Sequence, residues 1–212
     1  MGPVRSVGWH QARLYSRLND GRVRCALCAH RCLISEGGRG ICRVRVNCGA
    51  SLYTLTYGRV VASSVDHVEK KPLFHFHPGS TAYSIATPGC NFRCPWCQNQ
   101  EVVTAIPEGG LAAGTEVAAE RVVDAALRSG CSSIAYTYTE PTVFFEYTCD
   151  VAGLARAAGL ANIYVTNGYM TGEMLEAFHP RLDAANVDLK GFRGGTYRRY
   201  AGARLEPVRE SL

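Results

Sequence analysis

A chain of 212 residues, 47% hydrophobic and 19% charged, can bury one sizeable core, which excludes a disordered chain. The net charge of +5 is mild, and the arginines between residues 193 and 209 are read as a solvated face, which argues against a nucleic-acid partner. The uncharged stretch Pro72–Asn91 is interrupted by Pro72, Pro78 and Pro88, so no membrane span is expected. With no apolar signal segment at the N-terminus, the ten cysteines point to a reducing, cytoplasmic setting and to metal ligation in place of disulfides.

Residues 1–80 are turn-rich and cysteine-rich and are read as a small N-terminal module. Within it, Ser51–Tyr57 and Arg59–Ser64 predict two short strands in a hairpin about Gly58. From residue 81 to 212 the pattern changes to alternating strands and helices. Thr81–Thr87 predicts a strand that feeds a cysteine loop through Pro88-Gly89. Thr115 is expected to cap a helix with apolar positions at Ala119, Val122, Val123, Ala126 and Leu127, ended by Gly130. Ser132–Thr139 predicts the second strand. Pro141 then takes a favoured first helical position. Val143, Phe144, Tyr147, Val151, Leu154 and Ala158 line one face of that helix, and Gly159 ends it. Asn162–Thr166 predicts the third strand, turned by Asn167-Gly168. Thr171 begins a third helix with Met174, Leu175 and Phe178 inward, and Ala184–Leu189 predicts the fourth strand. This alternation means right-handed βαβ units, hence an α/β fold with a parallel sheet. Ligands of such sheets sit outside the carboxyl ends of the strands. The cysteine loop, Glu140, Asn167 and Lys190 all fall at such ends.

Cys90, Cys94 and Cys97 form C-x₃-C-x₂-C. Three thiolates this close can hold three irons of a 4Fe–4S cluster. Such clusters usually have four cysteines, so the open corner implies an exogenous ligand and chemistry at the iron. A zinc site is the alternative, but structural zinc prefers two C-x₂-C pairs and a closed shell. Cys25, Cys28, Cys32 and Cys42 form C-x₂-C-x₃-C-x₉-C, with His30 and Cys48 nearby and Gly37, Gly38 and Gly40 free to wrap a metal. Four thiolates suit structural zinc or a second, closed iron–sulfur cluster; scattered reduced thiols are the bland alternative. Cys131 and Cys149 fall on apolar positions and are read as small core residues. His75 and His77 alternate on an extended segment and either face the site or pack.

Several other residues could serve the site. Trp96 has a flat apolar face suited to covering a cluster or a base, or to core packing. Glu140 precedes a proline, which favours extended backbone and places its carboxylate at the strand top; a helix-dipole role is its alternative. Asn167-Gly168 gives a tight turn where backbone can approach a ligand. Asp188 and Lys190 lie two apart on a strand and so share a face, as site residues or as a structural ion pair.

The cysteine motif with an aromatic before its last cysteine resembles the signature of radical S-adenosylmethionine (SAM) enzymes. Glu69-Lys70-Lys71-Pro72, His75-Phe76-His77-Pro78-Gly79-Ser80, Gly89-Cys90-Asn91-Phe92, Cys97-Gln98-Asn99, Tyr136-Thr137-Tyr138-Thr139-Glu140-Pro141, Thr166-Asn167-Gly168-Tyr169 and Asp188-Leu189-Lys190 extend the likeness. From about residue 20 onward the chain resembles the AmmeMemoRadiSam-type radical SAM proteins, relatives of the glycyl-radical-enzyme activases such as the pyruvate formate-lyase activating enzyme. The resemblance implies a partial (β/α) barrel of six units. About four fit between residues 81 and 212, so a C-terminally truncated barrel is expected, with a fourth helix beginning in Leu205–Leu212. It also implies a 4Fe–4S cluster on Cys90, Cys94 and Cys97 whose free iron takes SAM. Reductive cleavage would yield a 5′-deoxyadenosyl radical that abstracts hydrogen from a substrate. Glu140 matches the acidic position that contacts the amino group of SAM. Thr166 and Asn167 match the segment near its methionine moiety, and Asp188 and Lys190 match residues near SAM or the substrate. Val165 stands where activases often have an aspartate, so no cation site is expected there. The implied partners are an electron donor of ferredoxin or flavodoxin type and either a protein substrate or a Memo-type or Amme-type protein. The competing readings are a non-enzymatic iron–sulfur or zinc-binding module and an inactive fragment.

Overall fold

The computed structural model describes residues 8–107 and 110–212. Its centre is a five-stranded sheet: β1 (Ala62–His67), β2 (Thr81–Ala86), β3 (Ser133–Tyr136), β4 (Ala161–Thr166) and β5 (Ala184–Val187). The order is β5-β4-β3-β2-β1. Strands β2 to β5 are parallel, and β1 runs antiparallel along the outer edge of β2. The connecting helices are α1 (Gln100–Thr104), α2 (Ala119–Arg128), α3 (Phe145–Ala157) and α4 (Gly172–Phe178), and α5 (Glu206–Glu210) follows β5.

Side-chain alternation along the strands makes two apolar faces. On one face Ile85, Ile134, Tyr136 and Tyr164 pack with Val122, Val123, Phe145, Val151 and Phe178 from the helices. On the other Ala82, Ala135 and Ile163 pack with Val68, Leu73 and Phe76. The register is direct: Tyr136 lies between Ile85 of β2 and Tyr164 of β4. Two polar side chains are also satisfied inside the first face. Tyr136 donates its hydroxyl to Asn162 Oδ1 at 2.9 Å, and Asn162 Nδ2 donates to the Ala152 carbonyl at 3.2 Å.

The N-terminal residues form two small antiparallel sheets. One orders His10–Gln11, Ser51–Thr54 and Arg45–Cys48; the other orders Tyr15–Arg17, Val23–Cys25 and Leu33–Ile34. Val23, Leu27, Ile34, Val44 and Leu52 belong to the same apolar cluster as Phe144, Phe145 and Tyr164. A buried ion pair crosses the same boundary: Arg45 Nη2 lies 2.6 Å from Glu146 Oε2 of α3.

The expected hairpin about Gly58 does not form. Ser51–Thr54 pairs with Arg45–Cys48, Arg59–Val60 pairs with Thr115–Glu116, and Ala62–His67 becomes β1. The free edge of β2 offers a six-residue ladder, Ala62↔Ala86 to His67↔Thr81, and β1 covers it. Thr115 is accordingly a strand residue. Helix α2 starts four residues later, with extended Ala118 at its cap and no side-chain hydrogen bond there. Leu127 and Leu154 are half-exposed. Thr171 does cap α4, its hydroxyl accepting from Met174 N–H at 3.1 Å. Glu140 caps the single 3₁₀ turn Pro141–Phe144 that leads into α3. Strand β3 stops at Tyr136; two residues on, Tyr138 takes a left-handed φ of 63°. Such a backbone is uncommon for a bulky residue and clusters at functional sites.

Candidate functional site

A cavity of about 600 Å³ opens at the carboxyl ends of β2 to β5. Cys90, Cys94 and Cys97 line it together with Trp96, Tyr138, Glu140, Thr166, Asn167, Asp188 and Lys190. The local sequence explains why the cysteine loop stands there. Strand β2 ends at Ala86, and Gly89 then adopts a φ of 105°. A Cβ at Gly89 would sit 2.7 Å from Val44 Cγ1 and 3.4 Å from Val143 Cγ2, so only glycine lets the loop pass between those side chains.

Polar contacts tie the loop to the neighbouring strand ends. Phe92 N–H donates to Cys90 Sγ at 3.3 Å, and Asn167 Nδ2 lies 3.8 Å from the same sulfur. Asn167 Nδ2 also donates to Asn91 Oδ1 at 2.7 Å, while Tyr169 N–H donates to Asn167 Oδ1 at 3.0 Å. Glu140 is buried. Its Oε1 accepts from Thr142 N–H at 3.0 Å, from the Thr142 hydroxyl at 2.5 Å and from the Thr166 hydroxyl at 2.7 Å. Its Oε2 accepts from Asn167 N–H at 2.8 Å. Desolvation nevertheless raises the Glu140 carboxyl above its ordinary value. Burial, then the Glu140 charge, also pushes the Cys90 thiol up.

Asp188 and Lys190 face the cavity as a pair, Nζ to Oδ2 2.9 Å, and Lys190 N–H donates to the Tyr197 hydroxyl at 3.0 Å. Burial pushes the Cys94 thiol up, and the charge of Lys190 acts against that, in the sense that favours thiolate. Trp96 is 49% exposed, which removes the core-packing alternative. Its ring lies 5.5 Å from that of Tyr200. His75 and His77 are exposed and do not line the cavity, whereas Cys131 and Cys149 are core residues.

A second polar group at the cavity wall had little sequence signal. Buried Asp66 of β1 accepts from Lys70 Nζ at 2.7 Å, Lys71 Nζ at 2.6 Å, Ser84 Oγ at 3.0 Å and the Tyr138 hydroxyl. Desolvation opposes ionisation of Asp66, but these four donors hold it well below the usual carboxylate range. Lys70, Lys71 and Tyr138 line the cavity. The lysines lie in a segment that carried the family likeness, yet nothing marked Asp66 as their partner.

Three thiols in one cavity, a backbone donor on the Cys90 sulfur and a lysine whose charge acts on Cys94 suit a thiolate-bound iron–sulfur cluster. Cys42 also lines the cavity, but its thiol interacts with Cys25 and Cys32. As placed, no three Cys, His, Asp or Glu side chains among the described residues stand close enough to hold an ion. Side-chain rotation must therefore close any such shell.

The radical SAM superfamily profile matches residues 84–212. The chain belongs to the radical SAM superfamily. An uncharacterized protein of Methanocaldococcus jannaschii is 42% identical over 201 residues, 95% of this chain. The chain spans 59% of that relative's length. A molybdenum cofactor biosynthesis protein of Caenorhabditis elegans is 27% identical over 132 residues, 61% of this chain and 21% of its own. Superfamily membership implies a 4Fe–4S cluster and SAM and suggests an enzyme. Among the described residues no helix is long and apolar enough to cross a membrane.

Proposed function

We propose that this radical SAM protein is an activase-like enzyme of the AmmeMemoRadiSam type, acting on a protein substrate. Cys90, Cys94 and Cys97 would hold the 4Fe–4S cluster and leave one iron to SAM. Bound there, the cluster would supply one-electron reductive cleavage of SAM for hydrogen abstraction from the substrate, the electron coming from a ferredoxin- or flavodoxin-type donor. The single observation that carries the reading is the meeting of the three cysteines with Glu140, Asn167 and Lys190 in one cavity at the strand ends. Its volume lies within the range of small-molecule sites, about 300–1,000 Å³.

The chain's own residues then have distinct tasks. Glu140 holds the Thr166-Asn167 turn, and its Oε2, which accepts one bond, retains capacity for the amino group of SAM. Lys190 and Asp188 offer a cation and an anion to the polar groups of SAM or substrate. Trp96, half-exposed and lining the cavity, would cover the bound cluster or adenine. In this reading β2 to β5 are the first strands of a partial barrel, the compartment is cytoplasmic, and the electron donor is of ferredoxin or flavodoxin type. A Memo-type or Amme-type protein is the candidate partner.

The test is anaerobic reconstitution followed by dithionite and SAM, with 5′-deoxyadenosine as the readout. We expect turnover-linked 5′-deoxyadenosine from the native chain and none from Cys94→Ala. Absence of the product from a native chain loaded with four irons at this site overturns the proposal.

A further inference from the structure

Cys25, Cys28, Cys32 and Cys42 converge from three pieces of backbone. Cys25 ends the strand Val23–Cys25, Cys28 lies in the turn that follows, Cys32 precedes the strand Leu33–Ile34, and Cys42 stands in the loop after Gly40. Cys25 N–H donates to the Cys32 carbonyl and Arg31 N–H to the Cys28 carbonyl, each at 2.9 Å. A Cβ on Gly40 would lie 3.7 Å from the Cys32 sulfur. Cys25, Cys32 and Cys42 pack in the same apolar cluster.

Ile41 N–H donates to Cys32 Sγ at 3.5 Å. Phe92 does the same for Cys90 in the cavity. Donors aimed at sulfur favour its charged form, which is the form that binds a metal. A cysteine that only fills a core needs none.

We propose that Cys25, Cys28, Cys32 and Cys42 form a closed tetrathiolate centre for a thiophilic metal, supplied as one zinc ion or as a second 4Fe–4S cluster. The centre fastens the N-terminal module to the cavity. Cys42 lines the cavity wall, Cys28 bridges to Met170 after β4, and the Thr171 hydroxyl that caps α4 donates to the Ala26 carbonyl at 2.6 Å.

The experiment uses the full chain carrying Cys90→Ala, Cys94→Ala and Cys97→Ala, which removes the other set of thiols. It is expressed with zinc and iron both supplied, purified anaerobically, and analysed for metal and acid-labile sulfide. The expected result is one zinc per chain, or about four irons with four sulfides, with only sulfur ligands in the X-ray absorption spectrum. The two contents distinguish the two metals. Adding Cys32→Ser, at a half-exposed position, should lower the bound metal at least ten-fold. Because that variant could misfold, the absorption spectrum of the parent is decisive on its own. A parent that folds with less than about a tenth of an equivalent of metal, or whose metal has mixed nitrogen and oxygen ligands, overturns the proposal. Neither readout involves SAM, so failure of the enzymatic reading leaves this result unchanged.

Discussion

Glu146→Gln removes the negative partner of Arg45 while keeping the shape of the side chain. Both residues are at most 1% exposed in their side chains, and the pair is separated by 2.6 Å. Glu146 Oε1 also accepts from Arg13 N–H at 2.7 Å, so each carboxylate oxygen has one partner from the N-terminal module. Removing one member of a buried pair leaves an uncompensated charge and costs about 3–5 kcal/mol. For a chain of this size that corresponds to a fall in Tm of roughly 6–20 °C. Thermal denaturation followed by circular dichroism, with metals bound, measures it. The double variant Arg45→Met/Glu146→Leu serves as the control, because an apolar pair of similar volume can replace a buried ion pair at little net cost. A Glu146→Gln loss below about 1 kcal/mol, or a double variant as unstable as the single, would refute the view that the pair joins the module to α3.

Two further predictions concern the turn after β4 and its surroundings. Gly168 has a φ of 69°, and a Cβ there would lie 2.7 Å from Val187 Cγ1 and 3.4 Å from Val208 Cγ1. Gly168→Ala should therefore cost about 1–3 kcal/mol, and an unchanged urea midpoint contradicts this. Arg31 grips Glu173 of α4 through two hydrogen bonds of 2.9 and 2.8 Å, which hold the Glu173 carboxyl at about 2 against an ordinary 4.5. The depressed value means that the contribution is complete above the unfolded value of 4.5 and is lost as pH falls through about 2. Both side chains are nearly half-exposed, so Glu173→Gln should cost only about 0.5 kcal/mol at neutral pH, and progressively less as pH falls from 4.5 towards 2. A stability gap that does not shrink between about pH 5 and pH 2 rules out the carboxylate as its source.

The parallel sheet was legible because it rests on local signals. The 3.6-residue apolar period of α2 and α3, the cap at Thr171 and the proline at 141 each act within one element. The position of the cysteine loop followed, since it is the segment after β2. Pairings between distant residues were not legible. Ala62–His67 carries no mark that sends it to the edge of β2, and Gly58 fits a hairpin turn as well as the bend between two sheets that it makes. Arg45 and Glu146 are 101 residues apart, and Asp66 and Tyr138 are 72 apart. Each is ordinary in its own segment and becomes informative only once burial forces a charge to find its partner.

The contacts around Glu140 show why the strand ends act together. Its carboxylate fixes the start of α3 through Thr142 and the turn after β4 through Thr166 and Asn167. Asn167 passes that position to Asn91, whose carbonyl accepts from or contacts His30 Nε2 at 2.8 Å. One connected set of hydrogen bonds thus runs from α3, through β4, into the cysteine loop and out to the N-terminal module. With Glu140 buried and carrying four donors, Thr142, Thr166 and Asn167 cannot shift without leaving its desolvated carboxylate short of a partner. The cysteine loop is anchored by Phe92, which is buried against Tyr169 and Tyr197, whereas no residue of the five-residue α1 that follows is buried. Its geometry is therefore set by this apolar anchor together with the polar neighbours, and a superfamily defined by what its cysteines hold has reason to keep both rigid.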